Sequence, residues 1–154
     1  TVSCTYVDGT ADDTKATFWG GLGNPWATYH NRIDYVTIAT TGNATDFGDM
    51  LNGAGEMSVS GNGVRAIGFG EDNPVSNVIQ YITLATTGNA ADFGDMGDTS
   101  DAVGAVANDT RAVCARNGGG TGRTTEYITI ATTGNAVSFG TTGNYGNSSS
   151  CSGD

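Results

Sequence analysis

An all-β chain of stacked, repeated units is the expectation for this sequence, and three observations carry it. The segment YVTIATTGNA at 35–44 returns as YITLATTGNA at 81–90 and as YITIATTGNA at 127–136, each copy starting 46 residues after the one before. A tandem period of this size marks supersecondary units that bury their apolar faces on one another. The repeated residues themselves are β-branched or aromatic (Tyr35, Val36, Thr37, Ile38), which suits a pleated surface and disfavours a helix. The composition agrees: 25 glycines and only two prolines in 154 residues suit short strands joined by turns.

In chain order, residues 1–14 hold TVSCTYV, which reads as a strand, followed by the turn-rich DGTADDT. Lys15 opens KATFWGG, which aligns with VRAIGFG at 64–70 and TRAVCARNGG at 110–119, so a basic residue and a short apolar strand precede each repeated segment. Lys15 lies four residues further from its repeat than Arg65 and Arg111 do, which places an insertion in LGNPWATYHNR, the stretch holding Trp26, Tyr29 and His30. Gly42-Asn43 is a pair that accepts positive φ, so the sequence predicts a two-residue hairpin turn there. That turn would set Ile38 opposite Phe47, Leu84 opposite Phe93 and Ile130 opposite Phe139, cross-strand pairs worth roughly 0.2–1 kcal/mol each. A hairpin alone is marginal in water, so the units must lean on one another. Further strands are expected in GEMSVSGNG at 55–63 and AVGAVANDT at 102–110. The whole reads as a single domain, 1–154, with units at about 15–63, 64–109 and 110–154, and with 1–14 completing a unit split between the termini.

The blocks R-A-(apolar), then Y-(V/I)-T-(I/L)-A-T-T-G-N-A, then D-F-G-D, at 15–50, 64–96 and 110–140, resemble the kelch-like repeats of bacteriophage tail and virion proteins. The resemblance implies four-stranded, propeller-like blades, completed by closure or by neighbouring copies, and a structural or host-attachment role in an extracellular fibre, filament or virion. Three units of this length also fit a β-trefoil, which is the alternative architecture.

The chemistry in the sequence is sparse. His30 is the only histidine, so neither a Ser-His-Asp triad nor a Cys/His zinc site has its parts, and no catalytic residue is assigned. The acidic pair Asp46/Asp49, repeated as Asp92/Asp95, offers oxygens that suit Ca²⁺, set against the plainer role of capping turn amides. No other cofactor is expected. Trp26, Tyr29 and His30 gather aromatic groups in the insertion and form the candidate ligand surface, with cell-surface glycan as the partner; the plainer reading is that Trp19 is core and Trp26 plugs one end of the stack.

Three cysteines leave one unpaired if Cys4 and Cys151, near the two ends, form a disulfide. Asn43, Asn108 and Asn147 each open a glycosylation acceptor pattern, which matters in a host that glycosylates. A net charge of −10 with six basic residues argues against a nucleic-acid partner, and no apolar run reaches membrane-spanning length. The functional expectation is a non-enzymatic, self-associating structural subunit, extracellular or on a virion. The alternative is a carbohydrate- or host-surface-binding module that uses the Trp26 loop for adhesion.

Overall fold

Strands and turns, with no helix, make up the described residues (4–23, 28–100, 104–116 and 123–143) of the computed structural model. Two short strands, β1 (Cys4–Thr5) and β2 (Asp8–Ala11), lead into β3 (Lys15–Trp19), β4 (Leu22–Gly23), β5 (Thr28–Tyr29), β6 (Arg32–Thr37) and β7 (Thr45–Asp49). The middle of the chain supplies β8 (Ser58–Gly61), β9 (Arg65–Asp72), β10 (Val75–Thr83) and β11 (Ala91–Asp95). The last four are β12 (Gly104–Ala107), β13 (Arg111–Arg116), β14 (Arg123–Thr129) and β15 (Val137–Thr142).

These strands form three four-stranded antiparallel meanders, β2-β3-β6-β7, β8-β9-β10-β11 and β12-β13-β14-β15, plus a small sheet β1-β4-β5. Each meander begins with a strand that precedes the basic residue at 15, 65 or 111, so the structural units run from 8 to 49, 58 to 95 and 104 to 142. This is the blade-like all-β arrangement; a β-trefoil barrel shared by all three units does not occur among the described strands. Residues 8–11 form the first strand of the first meander, pairing with β3. The small sheet is built around the insertion.

The first turn of every unit is closed by one side chain. Asp12 Oδ1 accepts from the amides of Thr14 and Lys15 (both 2.6 Å), Asn62 Oδ1 from Val64 and Arg65, and Asn108 Oδ1 from Thr110 and Arg111. Short polar side chains of this type turn the backbone locally, and the same position uses one in all three units.

The repeated segment does not form the two-residue hairpin expected of it. The chain reverses earlier, where Thr40 N donates to Thr37 O (3.3 Å), as Thr86 does to Thr83 and Thr132 to Thr129 (both 3.2 Å). Strand β7 then pairs with Tyr35 opposite Thr45, Asp34 opposite Asp46 and Ile33 opposite Gly48, not with Ile38 opposite Phe47. The aromatic partner of Phe47 is instead Tyr35, edge-on at 5.9 Å, and the pairs Tyr81–Phe93 (5.7 Å) and Tyr127–Phe139 (6.0 Å) repeat it. Two physical reasons favour this register. It places the tyrosine and phenylalanine on one face, and it releases Gly42–Ala44 and its equivalents from their own sheets.

The cores lie between sheets. Alternation along a strand gives each meander two faces. In the second unit, Val59, Ala66, Ile82 and Leu84 face the first unit and join Trp19, Ile33, Phe47, Met50, Ala54 and Met57 in one cluster. Ile67, Phe69, Ile79, Phe93 and Met96 face the other way and join Ala105, Ala112, Cys114, Ile128 and Ile130 of the third unit. Fully burying one such side chain is worth about 1.5–3 kcal/mol, so the stability of each sheet depends on its neighbour.

Candidate functional site: the joint between units

The run freed from the hairpin is what couples one unit to the next. Gly88 N donates to Phe47 O (2.8 Å) and Ala90 N to Asp49 O (2.7 Å), while Asn89 Oδ1 accepts from Asp49 N (3.0 Å). The third unit repeats the pattern on the second: Gly134 N to Phe93 O (2.7 Å), Ala136 N to Asp95 O (2.8 Å), and Asp95 N to Asn135 Oδ1 (3.1 Å). Edge strands β7 and β11, which otherwise present unpaired backbone groups, are thereby covered by the Gly-Asn-Ala run of the following unit. The contact is close. A Cβ built on Gly48 would collide with the Gly88 carbonyl, and one on Gly94 would meet the backbone of Gly134 at 2.5 Å.

Three further links recur at both joints. Lys15 Nζ donates to Leu84 O (3.2 Å), and Arg65 Nη1 to Ile130 O (2.8 Å). Gln80 Oε1 accepts from Leu51 N (2.9 Å), and Glu126 Oε2 from Gly97 N (3.0 Å). On the opposite side, Asp8 Oδ2 accepts from Val59 N (2.8 Å), and Ser58 Oγ from Ala105 N (3.0 Å). The basic residues that open the first two units, visible in the sequence only as alignment markers, are thus cross-joint donors.

Among the described residues, two buried carboxylates stand at these joints. Glu71 has no exposed surface and accepts from Asn52 Nδ2 (3.2 Å), Ser76 Oγ (3.1 Å) and Gln80 Nε2 (3.1 Å). Burial raises its pKa above the usual carboxylate value; hydrogen bonds from Ser76 and Asn52 oppose that rise, and the neighbouring Asp72 charge adds to it. In the third unit Glu126 pairs with Arg116 at 3.0 Å, both side chains largely buried. Cys114 lies in the same core, where burial and the charge of Glu126 push its thiol up to about 12. Such a thiol stays protonated and inert.

The expected site residues are placed as follows. Tyr29 lies on β5, where the negative charge of Asp72 and then desolvation raise its pKa. His30 follows it, with Nε2 turned onto the Gly23 backbone and without a hydrogen-bond partner among the described residues. His30 also lines a cleft of about 370 Å³ with Cys4, Val7, Phe18, Gly20, Arg32 and Asp34. Trp26, Cys151 and Asn147 lie outside the described residues, and Cys4 is exposed, with no disulfide partner among the described residues.

Asp49 and Asp95 serve the joint through their backbone amides and carbonyls, while Asp92 Oδ1 accepts from Gly94 N (3.0 Å) and Asp46 is exposed opposite Asp34. Among the described residues, no three His, Cys, Asp or Glu side chains cluster as metal ligands would. Asn108 closes its turn, and Asn43 is exposed.

Sequence reasoning overlooked Gln80, Glu126 and Glu71. A signal existed for the first two: they lie 46 residues apart, each two positions before a buried isoleucine. No protein-family model matches this chain, and no curated protein sequence matches it.

The two ends of the stack differ from its inside. Leu84 and Ile130 are 0% and 1% exposed, whereas Ile38, their equivalent in the first unit, is 54% exposed. Phe47 and Phe93 are each 2% exposed, whereas Phe139 in the third unit is 60% exposed.

Proposed function

We propose that this chain is a non-enzymatic structural subunit of an extracellular fibre or virion assembly that associates with other copies of itself through its repeat surfaces. One observation carries the reading: positions buried at both internal joints are bare at the ends of the stack. Apolar faces of this kind, left uncovered, are association surfaces in soluble proteins. The extracellular or virion setting rests on the resemblance of the repeats.

Sedimentation and negative-stain electron microscopy of the purified chain test this directly. Concentration-dependent growth into rods, rings or filaments is expected. A species that stays monomeric throughout the micromolar range would overturn it.

A second reading, binding of a surface glycan, is favoured by the lining of the His30 cleft. There an aromatic ring, Phe18, stands beside Arg32 and Asp34, the mixture that sugar sites use. Glycan-array binding abolished by Phe18→Ala would support it, and an array without signal would remove it.

A further inference from the structure

We propose that the two bare ends are the halves of one joint, and that the bare end of the first unit in one copy docks on the bare end of the third unit in a second copy, repeating the internal joints. This rests on the structural-subunit reading and names the surfaces it uses.

The argument is continuity with the joints already formed. One half is the outer face of the first unit: Ala16, Phe18, Val36 and Ile38, with the exposed run Gly42–Ala44 beside it. Their counterparts in the second unit, Ala66, Gly68, Ile82, Leu84 and Gly88–Ala90, form the joint with the first. The other half is the outer face of the third unit, with Tyr127, Val137 and Phe139 beside the β15 edge. Tyr81 and Phe93 in the second unit perform that role at the internal joint.

The polar parts are also in place. Gly42 N and Ala44 N correspond to Gly88 N and Ala90 N, which donate to Phe47 O and Asp49 O; their acceptors on a second copy are Phe139 O and Thr141 O. Asn43 Oδ1 corresponds to the Asn89 acceptor. Arg111 is set over Tyr127 at 4.3 Å, as Arg65 is over Tyr81 at 4.6 Å, and Arg65 reaches across its joint to Ile130 O. The matching carbonyl for Arg111 is Ile38 O of the second copy. Gly140 has the backbone of Gly94, φ +148° against +145°, yet the position its Cβ would take is open where that of Gly94 meets Gly134.

The replacement of Asp49 and Asp95 by Thr141 leaves this ladder intact, because those two residues contribute backbone atoms only. Two parts differ: Phe18 stands where Gly68 leaves no room for a Cβ, which would meet Met57 at 2.5 Å, and one link is missing. Gly104 stands where Asp8 and Ser58 supply acceptors, so the joint between copies is weaker than the joints within one and forms reversibly.

Complementation between two blocked variants tests the proposal. Ile38→Asp places a charge on one half and Phe139→Asp on the other. Both residues are exposed in the single chain, and an unchanged far-ultraviolet spectrum checks the fold. Wild type should form linear oligomers by sedimentation velocity. Each variant alone should stay monomeric, its association weakened at least about 30-fold, which is about 2 kcal/mol. An equimolar mixture should give dimers and nothing longer, because only one intact joint can form.

If wild type assembles and the variants assemble equally well, the proposed joint is wrong and the structural reading stands. If folded variants fail to dimerise on mixing, the head-to-tail arrangement is wrong. If wild type is monomeric throughout, both readings fall.

Discussion

Glu71 is held by three donors and sealed from water, an arrangement with consequences for stability against pH. Its ordinary value is 4.5 and burial raises it in the fold. Between 4.5 and the raised value the folded chain holds more proton than the unfolded one, so stability from this group falls as pH rises through that window. Above the window the loss is complete and constant. Glu71→Gln removes the titration while keeping an acceptor for Gln80, since Asn52 and Ser76 can each turn to accept. The melting temperature of the variant relative to wild type should therefore climb as pH rises from below 4.5 and then level off. A pH-independent difference would show that Glu71 is not the group responsible. Little of this was legible in the sequence, where Glu71 in Gly-Glu-Asp reads as the polar end of a strand. What buries it is the approach of Asn52 from the preceding unit and of Gln80 from β10, neither of which a periodic pattern reports.

The strands were largely legible because β-branched and aromatic residues at a fixed period restrict the choices. The turn was not. Thr-Thr-Gly-Asn-Ala carries the local signature of a tight hairpin, and local propensity alone gives Gly42-Asn43 to the corner. Tertiary contacts override it: the run donates two backbone bonds to the edge of the preceding sheet, and its asparagine accepts one from that edge's aspartate amide. The bulge glycines allow that approach. Gly94 and Gly140 share nearly the same positive φ, so an alanine at either pays a left-handed penalty of about 1–2 kcal/mol. Only at Gly94 would the new methyl strike the backbone of the following unit; at Gly140 its nearest neighbour is Thr125 Oγ1 at 3.9 Å. Gly94→Ala should therefore cost a further ~1–3 kcal/mol of overpacking. Urea unfolding of the two variants checks this, and equal losses would mean that the close approach carries no energetic weight.

Across the molecule, three nearly identical segments have three different environments, and the difference lies in who stands beside them. Ile38 and Ile130 are the same residue in the same motif, one exposed and one buried. Sequence periodicity gives the repeat, but it cannot say which copies have a neighbour on each side. One sequence difference does track position in the stack. Asn43-Ala44-Thr45 is a glycosylation acceptor, whereas the joint asparagines of the other units read Asn89-Ala90-Ala91 and Asn135-Ala136-Val137 and are not. Of the three joint asparagines Asn43 alone opens that pattern, and a glycan there would occupy the space that an incoming β15 edge needs. The chain made in a glycosylating host should bear sugar on Asn43 and stay monomeric, while the same chain from a non-glycosylating host assembles. Thr45→Ala removes the acceptor and copies the second unit, so that variant should assemble from either host, with Asn108 and Asn147 as internal controls for other sugars. Glycosylated wild type that assembles as readily as Thr45→Ala would separate Asn43 from the joint and place the association elsewhere on the chain.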